Sequence, residues 1–206
     1  MSTPPLIHVV DDDDSLRTAL LRLLESAGCE ARGYASTGEF LLQPPPDRPG
    51  CVLLDLRLPG PSGLDLQDAL AHHDIGLPVI FLTGHGDVAS SVRAMKAGAV
   101  DFLTKPVERQ ALFEAIERAL QLDARVRTNR LEAETLRERF ASLTQREREV
   151  VDGIAAGQLN KQIAHGLGMA ERTVKLHRAH AMEKLGVTSA AELGGLAERF
   201  RRLAEE

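Results

Sequence analysis

Residues 6–12 read Leu6-Ile7-His8-Val9-Val10-Asp11-Asp12, a largely apolar run that ends in two acids. Two more apolar runs end in charged groups, Cys51-Val52-Leu53-Leu54-Asp55 and Phe102-Leu103-Thr104-Lys105-Pro106. Such runs are typical of parallel strands buried on both faces, and ligands bind beyond the carboxyl ends of these strands. If the runs are neighbours in one sheet, three acids and a lysine meet at one edge. That group can bind a divalent cation beside a carboxylate that accepts a phosphoryl group.

The first 120 residues alternate apolar strands with amphipathic helices. We predict strands near 6–10, 30–34, 51–54, 79–82 and 100–104, and helices after the first strand and from about Thr37, Leu64, Asp87 and Glu108. Residues 43–50 contain four prolines and are predicted to form a surface loop. Five βα units indicate an α/β fold with a doubly wound, five-stranded parallel sheet of the flavodoxin-like type.

Composition limits the class of protein. The chain has 206 residues, 43% hydrophobic and 27% charged, which suits two domains with modest cores. It has no apolar run of about 18 residues, and Met1–Pro5 lacks the features of a signal peptide. Cys29 and Cys51 lack metal-ligand spacing. We therefore expect a cytoplasmic protein with no membrane partner and with structural thiols.

Charge is distributed unevenly along the chain. Residues 1–122 carry 10 Lys and Arg against 17 Asp and Glu, a net charge of −7, whereas residues 141–206 carry 10 against 9. Residues 161–184 hold five basic residues against two acids. A nucleic-acid surface is therefore expected in the C-terminal part and excluded from the acidic N-terminal part.

Residues 122–142 carry a heptad pattern, in which two sets of residues recur every seven positions: Leu122, Asn129, Leu136 and Leu143, and between them Val126, Ala133 and Phe140. A two-stranded coiled coil and an amphipathic helix packed on its own domain both fit. A flexible tether does not fit, because the stretch has neither a Gly nor a Ser before Ser142. We predict a domain over 1–121, a helical linker over 122–142 and a second domain over 143–206.

The second domain is predicted to be helical throughout, with four helices. Thr144 and Glu147 form a capping box for a helix that stops at Gly157. A short helix from Asn160 to about Leu167, a glycine turn and a longer basic helix from about Glu171 to Leu185 make a helix-turn-helix. A last helix begins near Ser189.

Each residue singled out in the first domain also has an ordinary structural interpretation. Asp13 or Asp14 is expected to cap the first helix, Thr83 could be a plain strand residue, and Lys105 could be a surface lysine. Asp11, Asp12 and Asp55 in one pocket would repel one another without a cation, and Mg²⁺ prefers carboxylate oxygens. The positions together, rather than any one of them, indicate a site.

Residues 6–120 resemble the receiver domain of two-component response regulators, and residues 141–203 resemble the DNA-binding domain of the LuxR/NarL type. The whole chain is therefore similar to the FixJ-like subgroup. The motifs that carry this resemblance are Thr83-Gly84-His85-Gly86-Asp87, Met95-Lys96-Ala97-Gly98-Ala99, Leu143-Thr144-Gln145-Arg146-Glu147, Asn160-Lys161-Gln162-Ile163-Ala164 and Arg172-Thr173-Val174-Lys175-Leu176-His177.

The resemblance implies roles for residues of the first domain. Asp55 would be the phosphoacceptor, and Asp11, Asp12, Asp55 and the backbone carbonyl of Arg57 would hold Mg²⁺. The phosphoryl and switch contacts would be Thr83, Gly84, Phe102, Lys105 and Pro106, with a cis bond before Pro106.

In the second domain, Lys161 and Thr173 suit phosphate contacts, since they lie near helix N-termini. Recognition-helix contacts would come from Lys175, Leu176, Arg178, Ala179 and His180. Val174 is expected to pack inside the bundle. Ala179 and His180 depart from the usual residues of the subgroup, so base preference does not transfer, and Leu159 removes a capping hydroxyl.

The implied function is a transcriptional regulator that a histidine kinase phosphorylates, that forms a homodimer and that binds promoter double-stranded DNA, with RNA polymerase as a further partner. The chain would not be an enzyme. One alternative is a magnesium-dependent phosphohydrolase with Asp55 as nucleophile, although Arg57 stands where its general acid is needed. Another is a regulator that binds DNA constitutively and uses its first domain only for docking.

Overall fold

The strands of the first domain form one parallel sheet. In a computed structural model of the chain, residues 4–43, 45–73, 75–84 and 88–205 are described. The strands are β1 (Leu6–Val10), β2 (Glu30–Tyr34), β3 (Gly50–Asp55), β4 (Val79–Thr83) and β5 (Asp101–Thr104). Their order is β2-β1-β3-β4-β5, and all pairs are parallel. This is the flavodoxin-like order, and the predicted α/β fold is confirmed.

The helices alternate with these strands and then continue alone. They are α1 (Asp14–Ser26), α2 (Thr37–Leu42), α3 (Gly63–His72), α4 (Val88–Lys96), α5 (Arg109–Ala141), α6 (Gln145–Ala155), α7 (Asn160–Leu167), α8 (Glu171–Leu185) and α9 (Ala190–Glu205). The predicted start of the fourth helix at Asp87 lies outside the described residues. Among the helices of the described ranges, none combines the length and the apolar composition of a membrane span.

Buried residues of the sheet alternate between two apolar clusters. Val52 and Leu54 belong to a cluster with residues of α2, α3 and α4, whereas Cys51 and Leu53 belong to a cluster with residues of α1 and α5. Because both faces of the sheet are covered, β1, β3 and β4 are buried along their whole length. That burial explains their near-continuous apolar sequence.

The segment predicted as a separate linker is part of one long helix. No Gly or Pro interrupts residues 109–141, and α5 runs through all of them. The chain divides into two compact units, 1–127 and 128–206, and the division falls inside α5. Leu136 and Phe140 are buried among the helices of the second unit, whereas Leu122 and Val126 are 41% and 43% exposed. The apolar heptad residues are therefore buried after the division and partly exposed before it.

The helix ends of the second unit follow the predicted signals. The Thr144 side chain accepts from the Glu147 N–H and the Glu147 carboxylate accepts from the Thr144 N–H, which confirms the capping box. Gly168 and Gly186 end α7 and α8 in the left-handed conformation. At the start of α7, Leu159 gives no hydroxyl, and its own N–H donates to Gln162 Oε1.

The buried His8 makes the stability of the first unit depend on pH. Its Nδ1 lies 3.0 Å from the Tyr34 hydroxyl, and burial, helped by the charges of Arg32 and Arg48, lowers the pKa of His8 to about 4. The unfolded chain therefore takes up a proton near pH 6.5 that the folded chain does not take up until about pH 4.

We predict that the free energy of unfolding of the first unit falls by up to about 3 kcal/mol between pH 6.5 and pH 4 because of His8. Urea unfolding as a function of pH tests this. His8→Gln should reduce the slope of the free energy of unfolding against pH by the equivalent of about one proton. The control His73→Gln changes an exposed residue and should leave the slope as in the wild type. Equal slopes for the wild type and His8→Gln would contradict the prediction.

Candidate metal centre and nucleic-acid interface

The carboxyl ends of the parallel strands bring the predicted residues of the first domain together. Asp11 follows β1, Asp55 ends β3, Thr83 ends β4 and Lys105 follows β5. The register aligns these ends, with Val10 opposite Leu54, Asp55 opposite Leu82 and Thr83 opposite Thr104. The predicted convergence at one edge is therefore present in the structure.

Lys105 bridges two of the acids. Its Nζ lies 2.7 Å from Asp11 Oδ2 and 2.8 Å from Asp55 Oδ2. The remaining oxygens accept backbone hydrogen bonds, Asp11 Oδ1 from the Asp13 N–H and Asp55 Oδ1 from the Arg57 N–H. Both carboxylates are thereby held in fixed orientations although they come from the ends of different strands.

Burial controls the ionisation of this pocket. Asp11 is fully buried, and this burial, with the nearby charge of Asp55, raises its pKa, although the hydrogen bond from Lys105 opposes the change. Burial lowers the pKa of Lys105, but its hydrogen bonds to Asp11 and Asp55 outweigh that effect and leave the pKa above its ordinary value. The lysine is therefore a permanent cation beside the two carboxylates.

The acids also fit a hard divalent cation. One oxygen from each of Asp11, Asp12 and Asp55 can be chosen so that all lie within 4.8 Å of one another. The donors are all carboxylate oxygens, as Mg²⁺ prefers, and Asp12 is exposed, which leaves coordination positions for water. Three carboxylates and one ammonium group leave a formal charge of −2 that such an ion would balance.

The residues assigned to switching lie around this pocket. The Thr83 side chain is fully buried, and its carbonyl accepts from the Lys105 N–H at 2.6 Å. Phe102 is half-buried against the cluster that contains Phe81, with the two ring centroids 6.3 Å apart. The Lys105–Pro106 bond is cis, as predicted. Gly84 and Arg57 are exposed. Their roles stay predictions.

The second unit presents a helix-turn-helix, α7 followed by α8. Lys175, Leu176 and Ala179 form an exposed row along α8, and Lys161 is exposed at the start of α7. Val174 is buried in the bundle, as predicted, and Thr173 and Arg178 are half-buried. Lys175 Nζ lies 3.3 Å from Glu171 Oε1. The row gives a face that combines a positive charge with apolar groups, which suits base edges in a major groove.

A buried carboxylate ties α8 to the start of α6. Lys184 Nζ lies 2.6 Å from Glu147 Oε2, and His180 Nδ1 lies 3.9 Å from Glu147 Oε1. The hydrogen bond from Lys184, together with those from Thr144, lowers the pKa of Glu147 to about 2. His180 thus lies beside this carboxylate, and its side chain is 51% exposed.

Comparisons with known proteins match both regions of the chain, the one with the acidic pocket and the one with the helix-turn-helix. Residues 7–117 match the response regulator receiver domain, and residues 141–197 match the luxR family of bacterial regulatory proteins. The chain belongs to the two-component response regulators. It is 44% identical to Nodulation protein W of Bradyrhizobium diazoefficiens over 96% of this chain and 87% of the relative.

Two further likenesses cover nearly the whole chain. Transcriptional regulatory protein FixJ of Rhizobium meliloti is 40% identical over 91% of this chain and 92% of its own length. The solved structure of the response regulator StyR is 48% identical, covers 96% of this chain and 100% of its own, and has a TM-score of 0.86. This response regulator is therefore a transcriptional regulator of a two-component system with a LuxR-type DNA-binding domain.

Two residues that support the receiver pocket are not evident from the sequence. Arg17 Nη1 donates to the Asp11 carbonyl at 2.6 Å and so holds the loop that carries the acids. A Cβ atom on Gly63 would lie 2.4 Å from the Asp55 carbonyl oxygen and 3.0 Å from Phe81 Cε1. Gly63 therefore allows α3 to begin directly against the backbone of Asp55, a contact that only the folded chain reveals.

We predict that Gly63→Ala destabilises the receiver by about 1–3 kcal/mol, because the added methyl group must displace the backbone of Asp55. The matched control is Gly38→Ala in α2, where the added Cβ atom would lie 3.8 Å from Ser36 Oγ. That control should be neutral or stabilising by up to about 1 kcal/mol. Urea unfolding of both variants decides, and equal effects would contradict the steric argument.

Proposed function

We propose that a histidine kinase phosphorylates this response regulator on Asp55, that the phosphorylated form becomes a homodimer, and that the dimer binds promoter DNA through α7 and α8. The observation that carries the proposal is the position of Asp55. Lys105 contacts both Asp55 and Asp11, and one oxygen from each of Asp11, Asp12 and Asp55 lies within 4.8 Å of the others. The partners of such a regulator, promoter DNA and RNA polymerase, are in the cytoplasm, so we expect the protein to act there.

The transfer chemistry follows from the pocket. A carboxylate oxygen of Asp55 attacks the phosphorus of the kinase's phosphohistidine, and an acyl phosphate forms on Asp55. The N–P bond breaks with its electron pair on the imidazole nitrogen, which takes a proton from water. Bound Mg²⁺, held by Asp11, Asp12, Asp55 and the Arg57 carbonyl, would neutralise charge on the transferring group. Lys105 contributes a second positive charge at the same place, since it already contacts the oxygen Asp55 Oδ2.

The switch then requires two packings of the receiver. Thr83 and Phe102 rearrange once the phosphoryl group is present. Thr83 ends β4, the strand next to β3 and Asp55, and Phe102 is only half-buried, so its ring has room to move. Val92 and Met95 are each 47% exposed on α4, and Arg118 of α5 pairs with Asp101 of β5. These elements supply the self-associating surface. A full reversal of the two populations requires about 5.5 kcal/mol of preference.

A hydrolase with Asp55 as nucleophile is the competing function. The second residue after Asp55 is Arg57 rather than an acid, and Lys105 is the group that contacts Asp55 Oδ2. Both features favour a stable acceptor over rapid turnover of phosphate esters. Sustained release of phosphate from a substrate such as p-nitrophenyl phosphate would support the hydrolase instead.

We predict that acetyl phosphate and Mg²⁺ add one phosphoryl group to the wild-type protein and none to Asp55→Asn. Intact-mass measurement checks this, with Asp14→Asn as the control because Asp14 is an exposed acid at the start of α1. Removal of Mg²⁺ with EDTA should abolish the gain in mass. A phosphoryl mass on Asp55→Asn would show that the acceptor is wrongly assigned.

We predict that Lys161→Ala and Lys175→Ala weaken DNA binding in different ways. Loss of a phosphate contact at Lys161 should lower affinity for cognate and scrambled duplexes equally and reduce the salt slope by about one. Loss of a base contact at Lys175 should reduce the difference between the two duplexes by about 1–3 kcal/mol. Titrations over a salt series, with a cognate duplex enriched from a random pool, distinguish them. An unchanged specificity ratio for Lys175→Ala would exclude that role.

A further inference from the structure

The last buried position of α5 before the division between the two units is a carboxylate. Leu112, Ile116 and Ala119 form the buried row of α5 against the sheet, and Asp123 continues this row one turn later with 1% exposure. An apolar residue would be expected there, since the row is otherwise apolar. Asp123 must therefore have partners that compensate for its burial.

Those partners come from the start of β3 and from α5 itself. Asp123 Oδ2 accepts from the Gly50 N–H at 3.1 Å, and both carboxylate oxygens accept from Arg127 Nε, at 3.1 and 3.0 Å. Arg127 continues outward, with Nη1 2.6 Å from Asp47 Oδ1 and Nη2 2.5 Å from the Arg48 carbonyl oxygen. We call these contacts of Asp123 and Arg127 with residues 47–50 the α5 clamp.

The α5 clamp lies at the opposite end of β3 from the phosphoacceptor. Gly50 and Asp55 are the first and last residues of the same six-residue strand. Gly50 is also closely packed, since a Cβ atom there would lie 2.3 Å from the Leu6 carbonyl oxygen. The clamp therefore joins the strand that bears Asp55 to the segment of α5 that ends at Arg127, where the first unit ends.

We propose that Asp123 and Arg127 are positioning residues for signalling: they hold the end of the receiver segment of α5 to β3, so that phosphorylation of Asp55 changes the DNA affinity of the second unit. This inference rests on the proposed function. A charged clamp suits the task because a buried ion pair with fixed hydrogen bonds specifies one register, whereas an apolar contact tolerates sliding. Neither residue touches the phosphoryl pocket, so the chemistry at Asp55 does not need them.

The test uses the full chain with acetyl phosphate and Mg²⁺. Asp123→Asn keeps an acceptor for the Gly50 N–H but removes the charge that pairs with Arg127, and Arg127→Ala removes the outer half of the clamp. The matched control is Arg125→Ala, which removes the same charge from an exposed residue of the same helix. The measurements are the phosphorylated fraction by mass, DNA affinity before and after phosphorylation, and hydrogen exchange.

We expect Asp123→Asn and Arg127→Ala to be phosphorylated like the wild type. In the wild type, phosphorylation raises DNA affinity by a certain factor. In each variant this factor should be smaller by about fivefold or more. Arg125→Ala should keep the wild-type factor. Exchange should become faster at the amides of residues 124–127 and stay unchanged in the strands, whereas a general loss of stability would speed exchange in the strands as well.

Three outcomes would overturn the proposal. Variants that keep the wild-type gain in affinity show that the clamp does not transmit the signal. Faster exchange throughout β1, β3 and β4 shows a general stabilising role instead. A wild-type protein that is phosphorylated without any gain in DNA affinity refutes the proposed function itself, and the inference with it, and so is distinct from a failure of the clamp alone.

Discussion

The bridge from Lys105 to Asp11 and Asp55 is the interaction on which the receiver depends. Two carboxylates at the ends of different strands can lie side by side with both ionised only if a cation balances their charge, because like charges in a buried site repel strongly. The parallel sheet makes the meeting possible, since every strand ends at the same edge. Asp11 is fully buried, so its partners must come from the protein or from a bound ion.

Much of this arrangement could be predicted from the sequence because its signals are local. The apolar runs of β1 and β3 mark strands covered on both faces, and parallel topology then assigns Asp11, Asp55 and Lys105 to one edge without further information. The capping box at Thr144 and the glycines after α7 and α8 act within a few residues. Such features do not depend on the rest of the fold.

Features that depend on distant segments could not be predicted in this way. Asp123 reads as an exposed acid in a heptad pattern, and its burial depends on Gly50, 73 residues away along the chain. Gly63 reads as a turn glycine, although the close approach of the Asp55 carbonyl is what requires it. The heptad pattern predicts a helical linker over residues 122–142, and in the structure residues 122–141 are the C-terminal part of α5, because nothing in the sequence interrupts the helix.

A common device recurs in both units: a buried carboxylate from one element held by a cation and by backbone N–H groups. Asp11 with Lys105, Asp123 with Arg127 and Glu147 with Lys184 are the three cases. The first differs from the others, because Lys105 also contacts Asp55, whose oxygens are the proposed site of covalent change. A phosphoryl group on Asp55 would bring new oxygens within reach of Lys105 and so weaken or replace its contact with Asp11. The other two pairs would keep their partners. Unlike an apolar contact, a charge can be re-partnered without loss of packing volume, and this makes the Lys105 bridge the natural place for a two-state change.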